Sequence, residues 1–298
     1  MKKIRAICLL LSMLILISVL GVGVAAESVD YSVTAGCHSV DAAKPLGGSE
    51  KLLDTSKAVI LYEMNSDTMV YAYNPDQTIY PSSMVKIMTA LVALENGDLN
   101  SIATVTRTAL SHVAIGSVSA GLQVGEEISL ESLLYCLLAA SANDAAVVIA
   151  EHIAGSQEAF IELMNAKAQA LGCIGTHYSN VHGLHDEQTY TTARDICKIL
   201  LAALENETFR TMFEAETYTV PATNKSEERT VVTSNYMMSK DYTSRYFDDR
   251  VTGGKTGSTD QAGRCLAVTA ELGNMNVLAI VMGAKPTYAE QGIVLKTF

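Results

Sequence analysis

Residues 80–95, YPSSMVKIMTALVALE, decide how this chain is read. A proline at position 81 followed by a predominantly apolar stretch predicts a helix that starts just after Pro81 and carries Ser83 and Lys86 on its first turn. Met84, Val85, Ile87, Met88, Leu91, Val92 and Leu94 leave no broad polar face, so the helix is expected to be buried on most sides. Lys86 is its one charge before Glu95. Three positions apart on a helix, the Ser83 hydroxyl and the Lys86 amine are neighbours. Burial disfavours an ammonium and lowers its pKa, which would turn Lys86 into a general base beside a nucleophile.

Just upstream, Ala58–Tyr62 and Met69–Tyr73 flank Asn65-Ser66-Asp67 and read as a β-hairpin that feeds into this helix. Downstream the pattern is mostly helical. Ser129-Leu130-Glu131-Ser132 opens a helix through Leu138, and Asn143-Asp144 can cap a second that runs from Ala145 to Ile153. Gln157–Leu171 forms a third closed by Gly172, and Thr191-Thr192 starts a fourth over Ala193–Leu204. After Tyr218 strands return: Tyr218–Val220, Thr230–Val232, Val251–Thr256, and two long apolar runs, Arg264–Leu272 and Met275–Met282, joined by the tight-turn pair Gly273-Asn274. The expected architecture is α/β, of the α+β kind: an antiparallel sheet formed by both chain ends, with a helical lobe inserted at about residues 97–215 and a cleft between them.

Two more short motifs carry chemistry. Ser141-Ala142-Asn143 lies in the turn between two predicted helices, where it reads either as capping or as a hydroxyl and an amide facing a substrate. Lys255-Thr256-Gly257 sits in the glycine-rich run TGGKTGST. Glycines weaken a strand unless something must approach its backbone, and such an edge can take an extended peptide by main-chain hydrogen bonds.

The three motifs in this order, Ser83-x-x-Lys86, Ser141-x-Asn143 and Lys255-Thr256-Gly257, resemble the signature of serine penicillin-binding proteins and class A β-lactamases. Over about residues 56–287 the chain resembles the low-molecular-weight penicillin-binding proteins that are D-alanyl-D-alanine carboxypeptidases. LLAASANDAAVVIAEHIAGS, SNVHGLHDEQTYTTARD and GGKTGSTDQAGRCLAV add to the likeness. Ala142 stands where the signature often has Asp. The resemblance implies a β-lactamase/penicillin-binding-protein transpeptidase-like fold. It also implies that Ser83 attacks the penultimate D-alanine carbonyl of a peptidoglycan stem peptide while Lys86 takes its proton. Ser141 would pass a proton to the departing D-alanine and Asn143 would hold the substrate amide. Lys255 and Thr256 would bind the terminal carboxylate, beside Gly257, and the backbone N–H groups of Ser83 and Ser258 would form the oxyanion hole. β-Lactams would acylate Ser83 and act as inhibitors.

Two alternatives have distinct marks. A class A-like β-lactamase would carry a Glu-x-x-Leu-Asn segment before the helix at Thr191-Thr192, and residues 180–187, NVHGLHDE, lack it. A catalytically idle cell-wall peptide binder would have a broken motif, and none is broken. His177, His182, His185 and Asp186 cluster without metal-ligand spacing, so neither a metal nor any cofactor is expected.

Composition fits an exported protein. Lys2, Lys3 and Arg5, the apolar run from Ala6 to Val24 and the small residues Val24-Ala25-Ala26 predict a signal peptide over residues 1–26, or a membrane association if the run is retained. Residues 27–54 read as a disordered leader, and 55–298 as the catalytic domain. After Pro286-Thr287 the sequence leaves room for a short closing helix over Tyr288–Phe298, not for the second, β-rich domain that many relatives carry. The formal charge of −11 argues against nucleic acid as a partner. Five cysteines beyond the signal, without C-x-x-C spacing, argue against a disulfide framework.

Overall fold

The computed structural model describes residues 56–239 and 246–285. The expected signal peptide, leader and closing helix lie outside these residues.

The hairpin forms as predicted, from β1 (Ala58–Glu63) and β2 (Thr68–Tyr73). A single 3-10 turn, Ser82–Met84, leads into α1 (Val85–Asn96). Residues 85–93 are all buried, as the missing polar face requires. Then follow β3 (Ile102–Thr104), α2 (Arg107–Ser111), β4 (Glu127–Ser129), α3 (Leu130–Leu138), α4 (Asn143–Ala154), α5 (Gln157–Ala170), α6 (Ala193–Leu204) and α7 (Glu207–Phe213). The chain ends its described part with β5 (Thr217–Val220), β6 (Arg229–Val232), β7 (Val251–Thr259), β8 (Gly263–Leu272) and β9 (Met275–Ala284).

Strands from both ends of the chain meet in one antiparallel sheet of order β2-β1-β9-β8-β7. Leu61 pairs with Ala279 of β9, and β7 forms the far edge, with Lys255 opposite Ala267 and Gly257 opposite Cys265. The runs in β8 and β9 are continuously apolar because both faces are covered. Ile60, Ala267, Cys265, Leu278 and Ile280 belong to the core shared with the helices. Val59, Leu61, Leu266, Val268, Ala279 and Val281 pack with Met237 and Met238 on the other face.

The structure also departs from the sequence reading. β5 and β6 pair only with each other, as a separate ribbon. The helical lobe holds a second ribbon, β3 with β4, whose three-residue strands are too short to show an alternation. Neither Asn143 nor Asp144 caps α4: Ala142 occupies that position and no side chain caps it. The Asp144 carboxylate instead accepts from Ser119 Oγ (2.5 Å), Ala120 N (2.9 Å) and Leu122 N (3.0 Å), tying the 118–122 loop to the start of α4. Ser129, Ser156 and Thr192 do cap their helices, each accepting from the amide three residues on.

Candidate active site

The Ser83 turn is held from two sides by glycines. Gly183 has φ +84°, and a Cβ there would lie 2.0 Å from the Ser82 carbonyl oxygen. A Cβ on Gly257 of β7 would stand 3.0 Å from Ser83 N. Only at such contacts does the backbone of a loop and of an edge strand come this close to a helix start. The squeezed segment stores strain: Ser82, buried and not a glycine, has φ +51°.

Lys86 is fully buried one turn on, and its Nζ has three neighbours: Ser83 Oγ at 3.1 Å, Asn143 Oδ1 at 2.7 Å and the His182 carbonyl at 2.6 Å. Burial pushes its pKa well below the usual lysine range, and the nearby Lys255 charge pushes the same way, against an opposing pull from Asp144. A neutral amine has two N–H donors and one lone pair. Asn143 and His182 present acceptor oxygens that use the two donors, which leaves the lone pair aimed at the Ser83 hydroxyl. The geometry therefore suits proton removal from Ser83.

Ser141 sits at the α3–α4 turn with φ +60°, strained as Ser82 is. Its hydroxyl accepts from Lys255 Nζ at 2.8 Å, and Lys255 gives a second bond to the Thr256 carbonyl at 2.9 Å. Lys255 is also fully buried, and desolvation alone lowers its pKa to about 7. Ser83, Ser141, Thr256, Gly257 and Ser258 line one cleft of about 260 Å³ between the sheet edge and the helical lobe. A larger hollow, about 410 Å³, opens at the other end of the sheet around Met64, Glu214, Glu271 and Asn276, without an amine–hydroxyl pair.

All eight residues singled out in the sequence, Ser83, Lys86, Ser141, Asn143, Lys255, Thr256, Gly257 and Ser258, thus stand in or against this cleft. The structure adds others. The His182 carbonyl is a ligand of the Lys86 amine, presented by a loop that Asn180 Oδ1 shapes by accepting from Gly183 N at 2.7 Å. Burial keeps the His182 ring neutral, with its pKa down to about 4. Val118, Ser234 and Arg264 line the cleft from three separate segments. The segment SNVHGLHDE added to the family likeness in the sequence, but a main-chain contact such as that of His182 leaves no mark on residue type.

The histidines go separate ways. His182 Nδ1 accepts from Leu184 N, His177 Nδ1 contacts the Gln188 carbonyl and His185 stacks edge-on against Tyr80. Among the described residues no group of three or more His, Cys, Asp or Glu is placed to hold a metal ion. Cys136, Cys173, Cys197 and Cys265 are buried free thiols, and burial raises Cys265 to about 11. No described helix is long and apolar enough to cross a membrane.

Residues 48–286 match the family Peptidase S11, D-alanyl-D-alanine carboxypeptidase. The chain belongs to this family. The D-alanyl-D-alanine carboxypeptidase DacF of Bacillus subtilis strain 168 is 32% identical over 238 residues, which are 79% of this chain and 59% of DacF. The chain spans under three fifths of the length of such D-alanyl-D-alanine carboxypeptidase relatives. Among solved structures of the penicillin-binding-protein fold, a point mutant of the Streptomyces K15 DD-transpeptidase superposes with a TM-score of 0.74 at 28% identity. That match covers 83% of this chain and 97% of the K15 chain. The D-alanyl-D-alanine carboxypeptidase of Mycobacterium tuberculosis H37Rv gives 0.73 at 28%, over 84% and 93%.

Proposed function

We propose that this chain is the catalytic part of a serine-type D-alanyl-D-alanine carboxypeptidase that removes the terminal D-alanine from peptidoglycan stem peptides and is acylated by β-lactams. The observation that carries this reading is the buried Lys86 amine, 3.1 Å from Ser83 Oγ and hydrogen-bonded on its other side to Asn143 and the His182 carbonyl.

In this reading Ser83 Oγ adds to the carbonyl carbon of the penultimate D-alanine as its proton passes to Lys86 Nζ. The backbone N–H groups of Ser83 and Ser258 receive the oxyanion, a contribution worth about 10² to 10³ in rate per donor. The C–N bond then breaks and Ser141 hands a proton to the departing amine, with Lys255 resupplying it. Asn143 orients the substrate amide, and Gly257 lets the peptide lie along the β7 edge. Water then adds to the acyl carbon and the ester C–O bond to Ser83 breaks: Ser83 Oγ recovers the proton held on Lys86, and of water's two protons one returns to Lys255 and the other leaves to solvent from the new carboxyl group.

With penicillin the acyl-enzyme is expected to persist. The carboxylates of residues 180–187, Asp186 and Glu187, are exposed and do not line the cleft, so nothing there activates a deacylating water. The reading also places the protein outside the cytoplasm, in the cell envelope, exported by residues 1–26.

The test is incubation with labelled penicillin and with a peptide ending in D-Ala-D-Ala, for wild type and Ser83→Ala. Label on Ser83 and free D-alanine, both lost in the variant, are expected. Label without D-alanine release would point to the idle binder, and turnover of penicillin at hundreds per second would point to a β-lactamase.

A further inference from the structure

A group of aromatic rings beside the Ser83 turn has no part in the scheme above. Tyr80 stands three residues before Ser83, and Tyr190 three residues before the start of α6. Ile79 and Thr191 exchange both backbone hydrogen bonds, at 2.8 and 2.9 Å, and Tyr190 does the same with His177, at 2.9 and 3.0 Å. Three short segments therefore lie side by side as a small antiparallel ladder, with residues 190–191 in the middle. Side chains alternate faces along such a ladder, and directly paired residues share one. Ile79 and Thr191 take the inner face and are buried. Tyr80, Tyr190 and His177 fall on the outer face, where none is buried and Tyr190 is 37% exposed.

These rings are held in place. Those of His177 and Tyr190 stack with centroids 5.9 Å apart, and His185 meets Tyr80 edge-on at 4.7 Å. A carbonyl only accepts, so His177 Nδ1 donates to the Gln188 carbonyl, at 2.6 Å. Gln188 sits in a tight turn: its N donates to Asp186 Oδ1 at 2.7 Å, and Thr189 N donates to the Asp186 carbonyl at 3.0 Å. The buried Thr189 hydroxyl in turn accepts from Ser179 N at 3.0 Å. A face fixed in this way loses little side-chain freedom when something binds to it.

The chemistry of the face narrows its occupant. Tyrosine offers an apolar ring with a polar tip, and among the described residues neither the Tyr80 nor the Tyr190 hydroxyl is hydrogen-bonded. Asp186, Glu187 and Gln188, which follow His185, are exposed. Ring faces bordered by free hydroxyls, carboxylates and an amide suit a sugar, whose C–H faces stack on rings while its hydroxyls hydrogen-bond at the rim. An anionic surface is disfavoured by those carboxylates in a protein of formal charge −11. Position points the same way. Gly183, two residues before His185, is pressed on the Ser82 carbonyl, where a Cβ would lie 2.0 Å away, so the aromatic face continues the wall of the Ser83 turn. A stem peptide that enters the cleft brings with it the glycan strand that carries it.

We propose that Tyr80, Tyr190, His177 and His185 form a saccharide-binding platform that holds the glycan strand while its stem peptide occupies the cleft. This rests on the carboxypeptidase reading and deepens it: the enzyme favours stem peptides still attached to their sugars.

One stem peptide ending in D-Ala-D-Ala, free and attached to its disaccharide, tests this with wild type, Tyr190→Ala, Tyr190→Phe and His185→Ala. Wild type is expected to show about a tenfold higher kcat/KM on the sugar-linked peptide, mostly through KM. Tyr190→Ala and His185→Ala should lose most of that preference with the free peptide unaffected, and Tyr190→Phe, which keeps the ring, should retain it. No preference in wild type, or one that survives in both alanine variants, overturns the proposal. So does an equal loss on both substrates with a lowered melting temperature, which would mark a structural role. Cosedimentation of wild type and Tyr190→Ala with glycan strands stripped of their peptides is a second readout that needs no D-alanine release. If wild type frees no D-alanine but sediments with the stripped strands, and Tyr190→Ala does not, the carboxypeptidase reading falls and the platform stands. If wild type frees D-alanine equally from both peptides and stays in solution, the platform falls and the carboxypeptidase reading stands.

Discussion

Among the described residues two lysines, Lys86 and Lys255, are wholly buried, and their surroundings differ in kind. Lys86 faces two carbonyl-type oxygens and one hydroxyl, so its neutral form satisfies every neighbour. Lys255 faces one hydroxyl and the carbonyl of its own following residue, and only desolvation lowers it, to about 7. A buried base next to a nucleophile needs partners that occupy its protons and expose its lone pair. A buried acid near a leaving group needs a pKa that lets it keep and give a proton around neutrality. In the proposed mechanism the same residue type thus serves opposite proton traffic because of what surrounds it.

The contrast breaks first at Lys86. Lys86→Arg keeps the charge and the reach but does not deprotonate, so penicillin acylation of Ser83 should fall by about 10³ or more. Lys255→Arg should cost far less, about tenfold to a hundredfold, if its task is met by a donor. Stopped-flow acylation of the two variants measures both. A Lys255→Arg as dead as Lys86→Arg would erase the distinction.

The pH profile sharpens it. Acylation should rise with pH as Lys86 loses its proton and fall again as Lys255 does so near 7. In Lys255→Arg the falling limb should move out of the measurable range while the rising limb stays. A falling limb unchanged in the variant would show that Lys255 does not set it.

The smallest effect concerns stability. Burial holds both folded-state pKa values below the roughly 10.4 of an exposed lysine. From about pH 7 upward the unfolded chain therefore binds a proton at Lys255 that the folded one has released, and stability rises with pH in that window. Above roughly pH 8.5 the trend should reverse, because Cys136, Cys197, Cys265 and Tyr178 keep their protons when folded and lose them when unfolded. Melting temperatures between about pH 6.5 and 8 should increase, and Lys255→Met should flatten that increase.

Much of this was legible because it is local. The hairpin, α1, α3 and the turn at Gly273-Asn274 follow from runs and spacing within a few residues. Ser83 and Lys86 declare themselves as a pair because one helical turn joins them. What the sequence hid depends on pairing between distant segments. Arg264 reaches the cleft through its register with Ser258, Ser234 through a loop docked on β7, and His182 through a main-chain oxygen that any residue would carry. Asp144 looked like a cap and turned out to hold a loop, since a carboxylate at a helix start suits either task.

The sheet order has a consequence in time. Among the described residues the first strand, β1, pairs with the last, β9, and the Ser83 turn is pressed by Gly257 of β7. Long-range pairings of this kind form slowly and late. A growing chain carries Ser83 and Lys86 from early on, yet the cleft that surrounds them cannot close until residues 251–284 have been made. The proposed nucleophile is present for most of synthesis, and its activation waits for the last of the described strands to arrive.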